Sequence, residues 1–295
     1  MNKKIIEEKF KYISNYKEDE KLRTSFNGLT RKTYGFDFEI WYESGYWQEG
    51  YIPCSLVDGN KVIANVSVNL MDFEIDGIYK HYIQLGTVMT DDEYRNQGLS
   101  RYLMEKVIKQ WENKVDGIYL FANDNVLNFY PKFGFAKSYE YQYSKSVIID
   151  GNISAEHINM SDKKNLKKLS EAVANSVSNG KFEMNNVGLV MFYTTSFMSE
   201  SVYYIKEENV FIVADIDKNN LLIHQIIADH KIDLDKLIKT FGSEIKHVTL
   251  GFTPFDITTY VKTELVEEDT TLFVFGKDFE TFDEKKIMFP TLSHA

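Results

Sequence analysis

Arg95, Gly98 and Ser100 stand in the run Arg95-x-x-Gly98-x-Ser100, which follows the apolar stretch 83–89 across a polar turn at Asp91, Asp92 and Glu93. These residue types at this spacing suit an anion. Glycine reaches backbone angles that other residues resist, and serine is small enough for a ligand to come close. The first N–H groups of a helix have no partner within it, and they sit at the positive end of its dipole. Arginine adds a planar, permanently charged donor. A phosphate or pyrophosphate fits such a place. To position it, the chain needs a strand before the turn and a helix after it. Residues 83–89 read as the strand. Leu99, Leu103, Val107 and Trp111 recur at steps of four, with Met104 and Ile108 beside them, and predict a helix with one core-facing stripe. Residues 117–122 then read as a second strand. Strand, helix and strand make a βαβ unit with a right-handed crossover, and the cradle falls at the carboxyl end of its first strand, where open α/β sheets hold ligands.

A second group lies just downstream: Asn123, Tyr130 seven residues later, and the pair Gly134-Phe135. With both groups in order, the segment 83–135 resembles the GNAT (Gcn5-related) N-acetyltransferases. That family carries Arg/Gln-x-x-Gly-x-Gly/Ala after its fourth strand and often Asn, Tyr and Gly-Phe further on. Ser100 stands here where the family has Gly or Ala. The resemblance implies a fold reaching over roughly residues 1–145 and acetyl-coenzyme A as cosubstrate. It implies that the pyrophosphate lies on the amides of Asn96, Gln97, Gly98, Leu99, Ser100 and Arg101 beside Arg95. It implies that the pantetheine arm pairs with Val88, Met89 and Thr90, that Asn123 contacts the cofactor, and that Tyr130 is the general acid for the departing thiolate.

Acyl transfer to an amine needs a neutral amine, an oriented thioester, a stabilised oxyanion and a proton for sulfur. An alkyl amine such as lysine has a pKa of about 10.4, and tyrosine titrates near 10. A phenol in hydrogen-bond reach of the sulfur can therefore donate, at a typical benefit of about 10²–10⁴-fold, and a backbone N–H near Met89 could steady the oxyanion. The general base is not readable. Glu39, Glu43, Asp72, Glu74 and His81 lie in segments that could border the acceptor site, and each also reads as a solvated surface group. No nucleophile pairs with a base, so direct attack in a ternary complex is expected. A small polyamine, an aminoglycoside, an amino-acid derivative and a peptide amine all remain open as acceptors. The alternative is a non-catalytic module that senses acyl-coenzyme A while its C-terminal part binds a partner. Retention of both Tyr130 and the cradle favours the enzyme.

The net charge of −10 leaves no basic stripe to neutralise a nucleic-acid backbone. Cys54 is the single cysteine, so no intrachain disulfide can form, which suits a cytoplasmic protein. The start of the chain lacks an apolar signal core, and no run reaches the 18 or so apolar residues of a spanning helix, so no membrane partner is expected. The six histidines show no ligand spacing and no metal is expected. The run from Asp215 to Ile226 opens like a calcium loop but has Asn220 where glycine belongs and Ile226 where an acid belongs. It reads as a hairpin turn. Oligomeric state is left open.

The fold class expected is α/β with a mixed, α+β-type sheet: a GNAT-like unit at 1–148 and a second α/β domain at 149–295. Residues 3–26 read as helical. Residues 36–46 are rich in aromatics and suit helix or an acceptor-side wall. Residues 53–57 and 61–69 form a hairpin around Asp58-Gly59, and a turn at Asp76-Gly77 leads into 79–90. The alternating stretch 139–147 is expected to close this sheet. Beyond 149 the pattern begins again, with a helix at 162–177, strands at 202–205, 210–216 and 221–228, a helix carrying Leu234, Leu237 and Ile238, a strand at 247–252, the segment 261–265 where the earlier Gly-Phe segment would fall, and a closing strand at 270–275. This second unit has no glycine turn after 221–228 and should lack the phosphate cradle. The apolar segment 287–295 is expected to dock on the body or reach the acceptor cleft.

Overall fold

The structure, a computed structural model, describes residues 2–151 and 153–294; Met1, Asn152 and Ala295 lie outside the described residues. The first part runs α1 (Lys3–Lys9), β1 (Lys11–Ser14), α2 (Glu20–Tyr34), α3 (Glu39–Glu43), β2 (Tyr51–Asp58), β3 (Lys61–Ile75), β4 (Ile78–Thr90), α4 (Leu99–Trp111), β5 (Gly117–Ala122), β6 (Ala136–Lys137) and β7 (Tyr141–Ser146). It continues with β8 (Glu156–His157), α5 (Lys163–Ala174), β9 (Phe182–Met184), α6 (Val187–Thr195), β10 (Val202–Ile205), β11 (Val210–Asp217) and β12 (Asn220–Ile227). The last elements are α7 (Leu234–Lys239), β13 (His247–Leu250), β14 (Val261–Glu264), β15 (Thr271–Phe275) and α8 (Phe282–Lys285). The fold is mixed α/β. Among the described residues no helix is long and apolar enough to cross a membrane.

The strands form two sheets. The first has the order β1-β2-β3-β4-β5-β15-β6, with β9 added against the end of β3. Its pairs are antiparallel except β4 with β5, which the helix α4 connects. The leucine stripe of α4 is the reason the helix lies where it does. Leu99, Leu103, Met104, Val107 and Ile108 are buried in one cluster with Ile63, Val66, Ile83, Leu85, Ile118 and Leu120 of the sheet. The parallel pairing spans only Tyr82–Gln84 against Gly117–Tyr119, after which β4 runs on to Thr90 paired with β3 alone. The two strands therefore splay and leave a notch between their carboxyl ends.

At the notch β4 bulges. The register against β3 shifts between Asn65 and Ser67, and Thr87 takes a left-handed φ of 48°, a costly conformation for a β-branched residue. A buried polar network holds it there. Asn65 Nδ2 donates to the Thr87 carbonyl at 2.9 Å and to Ser67 Oγ at 2.8 Å, and the Tyr51 hydroxyl meets both Ser67 Oγ (2.9 Å) and Thr87 Oγ1 (2.8 Å). Satisfied networks of this kind fix one geometry.

The second sheet has the order β14-β7-β13-β12-β11-β10-β8. Read from β8, its strand directions repeat those of the first sheet: antiparallel pairs as far as β12, a parallel pair β12 with β13 joined across α7, then two antiparallel neighbours. The expectation that residues 139–147 close the first sheet is corrected. β7 pairs with β13 and β14 in the second sheet, and β15 takes the vacated place between β5 and β6. Both stretches alternate in the same way, so pattern alone did not say which sheet each would join. A continuous helix over 3–26 is also corrected. α1 ends at Lys9 and Phe10 is already extended, and the β-favouring Tyr12 and Ile13 of β1 pair with Leu56 and Ser55 of β2. The Asp215 run is the β11–β12 hairpin turn, with Lys218 at φ 56°.

Candidate functional site

The polar turn after β4 is built by its own side chains. Asp91 accepts the N–H of Glu93 at 3.1 Å and is held by Lys61 at 3.2 Å. The chain then passes through Asn96 (φ 60°) and Gly98 (φ 82°) into α4. Gly98 is the residue before the helix, and it has no side chain with which to cap. The leading amides of α4 thus remain unclaimed by a side-chain cap at the positive end of the helix. Arg95 lies beside them, bonded to Asp92 at 2.9 Å, and Ser100 Oγ meets Thr90 Oγ1 at 2.7 Å, tying the helix start to the end of β4.

This turn opens on a cavity of about 990 Å³. Val88, Met89, Thr90, Arg95, Asn96, Gly98, Leu99, Ser100, Arg101, Asn123 and Tyr130 line it together. Gln97 does not; its amide reaches back to the Glu93 carbonyl at 3.5 Å. The Val88 carbonyl accepts the Tyr34 hydroxyl at 2.9 Å. Tyr130 begins a short 3-10 turn, Tyr130–Phe133, and its ring packs edge-on against Phe129 and Phe135 and at a tilt against Phe273 of the exchanged strand β15. Only 6% of the residue is exposed, and among the described residues its hydroxyl has no protein hydrogen-bond partner. Burial, with the nearby Tyr34 phenol as a smaller cause, pushes its pKa well above that of an ordinary tyrosine. The phenol stays protonated, as an acid must be.

The far end of the cavity is walled from both halves of the chain, by Phe36, Phe38, Trp41 and Tyr51 on one side and Leu189, Phe192, Tyr193, Phe197 and His294 on the other. Trp41 Nε1 donates to the Gly188 carbonyl at 2.8 Å. A Cβ on Gly188 would lie 2.9 Å from the Tyr46 carbonyl, so only glycine allows this approach of α6 to α3. The C-terminal segment docks as well: the Tyr119 hydroxyl donates to the Ser293 carbonyl at 3.0 Å, and Tyr193 donates to that of His294. The His294 ring stacks on Phe121, with Nε2 at 3.3 Å from the Phe289 carbonyl, and burial lowers its pKa to about 4.

None of the five carboxylate and histidine candidates for a base lines this cavity. Glu39 is bound to Arg23 and Asn27, and His81 pairs with Asp72 at 2.6 Å on the exposed β3–β4 hairpin. The sequence reading missed α6 and β9. The run from Val187 to Tyr193 is apolar on every side, so it shows no helical stripe; such a helix is buried all round. Among the described residues no three His, Cys, Asp or Glu side chains are grouped to hold a metal.

A mixed sheet splayed at one parallel pair places an uncapped helix start and a buried phenol on one cavity. Residues 19–135 match the model of the Acetyltransferase (GNAT) family, and this portion of the chain is a GNAT domain. Three solved structures share the fold over most of the chain. A protein from Enterococcus faecalis V583, described as a probable N-acyltransferase, is 13% identical with a TM-score of 0.59, covering 90% of this chain and 71% of its own. A GCN5-related N-acetyltransferase from Kribbella flavida is 14% identical with a TM-score of 0.55, covering 91% and 71%. Another from Anabaena variabilis ATCC 29413 is 14% identical with a TM-score of 0.52, covering 90% and 72%. At such identities the likeness establishes the fold. No curated protein matches the sequence. The family match supports acyl transfer as the class of chemistry.

Proposed function

We propose that this protein is an acetyl-coenzyme A-dependent N-acetyltransferase that moves the acetyl group to an amine by direct attack in a ternary complex. The observation that carries the reading is that the uncapped start of α4 and the Tyr130 phenol open on the same cavity, across the notch between β4 and β5. The pyrophosphate lies on the amides from Asn96 to Arg101 with Arg95 beside them, and Asn123 contacts the cofactor. The pantetheine arm follows the edge of β4 that β5 leaves open, along Val88, Met89 and Thr90. An amide of the bulged strand near Met89 steadies the oxyanion, and Tyr130 gives its proton to the thiolate as the C–S bond breaks.

In this reading the part beyond residue 148 is a diverged copy of the same unit that has lost the cradle and walls the acceptor end. The repeated strand order of the second sheet, which borrows β7 from before that point, supports this. The buried Cys54, with its thiol pushed up to about 11 by burial, is an inert core residue suited to a reducing cytoplasm. Release of free thiol from acetyl-coenzyme A across an amine panel tests the reaction and separates it from a sensing module, which would bind without turnover. Tyr130→Phe should lower kcat by about 10²–10⁴-fold and leave acetyl-coenzyme A affinity unchanged by calorimetry. Unaltered kcat across the pH range would remove Tyr130 from the mechanism.

A further inference from the structure

The acceptor end of the cavity has a chemistry of its own. Among the described residues lining the whole cavity there is no aspartate or glutamate, although the chain carries a net charge of −10. Its cations, Arg95, Arg101 and Lys132, accompany the residues of the cradle and of the Tyr130 turn. The far end is aromatic. Phe36, Phe38, Trp41 and Phe192 form a connected set with ring centroids 5.2–6.2 Å apart. Phe197 meets Phe36 edge-on at 5.2 Å yet stays 61% exposed, so it offers an apolar face that an occupant can cover.

Among the described residues, one polar side chain of this wall carries an unpaired atom. Asn65, Ser67 and Asn69 follow one another on the same face of β3. The first two are saturated by the network that holds the bulge. Asn69 is 3% exposed, lines this cavity and an adjoining one that shares Trp41 and Tyr51, and has an amide nitrogen with no hydrogen-bond partner among the described residues. A buried amide left unpaired is costly. The two ends of the amide exchange by rotation, so it can accept from an N–H or donate to a lone pair.

Resting on the acetyltransferase reading above, we infer that the acceptor is a monoamine with an aromatic or apolar body, lodged among Phe36, Trp41 and Phe197 with its nitrogen met by the Asn69 amide. Polyamines and aminoglycosides are disfavoured. Each further ammonium would enter an apolar wall that offers no carboxylate side chain among the described residues, and unpaired buried charge is expensive. Aromatic faces can hold one cation. The same surroundings favour the neutral form of an amine, which is the form that attacks. In that step the nitrogen lone pair forms the amide bond, the C–S bond breaks, the sulfur takes a proton from Tyr130, and the amine proton leaves to solvent, which returns one to the phenolate.

The test uses the full chain with acetyl-coenzyme A and thiol detection. 2-Phenylethylamine and tryptamine are set against spermidine and kanamycin. The arylalkyl amines should exceed the polycations in kcat/KM by at least about tenfold. Asn69→Ala should raise KM for the arylalkyl amines by about tenfold with kcat and acetyl-coenzyme A affinity unchanged. Asn69→Ser serves if the alanine variant fails to fold, and a merely structural residue would lower the melting temperature without moving the amine KM. Asn69→Asp should narrow the preference against spermidine. Preference for the polycations overturns the inference. So does a chain that binds acetyl-coenzyme A but accepts none of these amines, or one whose turnover follows the length of the donor acyl chain and ignores the amine. Absence of acetyl-coenzyme A binding overturns the acetyltransferase reading itself, and this inference with it.

Discussion

β4 and β12 hold corresponding places in their sheets, and each hands the chain to a helix and then to a parallel neighbour. The two junctions differ in who occupies the helix start. After β4, Gly98 leads into the 13-residue helix α4 with no side-chain cap. After β12, Asp233 leads into the six-residue α7, and its carboxylate accepts the N–H groups of Asp235 at 3.0 Å and Lys236 at 3.1 Å. That carboxylate holds the position an anionic ligand would need and repels one. The splay beyond β13 is filled too, because Thr291 of the C-terminal segment donates its N–H to the Gly251 carbonyl at 2.8 Å. Equal strand order thus gives one receptive junction and one that satisfies itself. What separates them is whether the chain leaves its own amides unspent.

The largest effect should come from making the first junction resemble an ordinary one. Gly98→Val puts a β-branched residue at φ 82°, at a cost of about 1–3 kcal/mol in the left-handed region. The turn must move to relieve it, so acetyl-coenzyme A affinity should fall by about 100-fold in calorimetry. Equal affinity in the variant would show that the cofactor does not lie on this turn. The matching change at the second junction sharpens the contrast. Asp233→Ala should cost about 1 kcal/mol of stability through the lost cap, seen as a lower melting temperature, while acetyl-coenzyme A binding stays as it was. Weakened binding would mean that the second junction also takes part.

The smallest effect concerns the segment that fills the second splay. Phe289 is anchored by its N–H, which Glu140 Oε1 accepts at 2.8 Å, and burial raises the Glu140 carboxyl from 4.5 to about 8. Between those pH values the unfolded chain releases a proton that the folded chain keeps. Stability therefore falls as pH rises through that window. Glu140→Gln retains the acceptor oxygen and removes the titration. Its melting temperature should exceed that of the parent at pH 8, and the gain should vanish below pH 4.5. A gain independent of pH would place its cause elsewhere.

Much of the first junction was legible because its signals are local. The stripe from Leu99 to Trp111, the turn residues before it and the strand at 117–122 each report a neighbour close in sequence. The aromatic run 36–46 and the apolar C-terminal segment were also visible as material for a wall. The partners were not. Trp41 finds Gly188 across 147 residues, and nothing in either segment names the other. β7 and β15 both alternate, and their exchange depends on long-range register. Asn69 is one of many asparagines until the sheet shows that its neighbours Asn65 and Ser67 are already satisfied.

The exchanged strands also set an order of events during synthesis. β5 and β6 have left the ribosome well over a hundred residues before β15, the strand that must lie between them. Through that interval the first sheet carries an unpaired edge along Ile118–Ala122, the kind of edge that recruits other chains. That edge stays uncovered until about the last tenth of the chain arrives, and neither half can be shuffled into another gene without stranding a gap in its sheet.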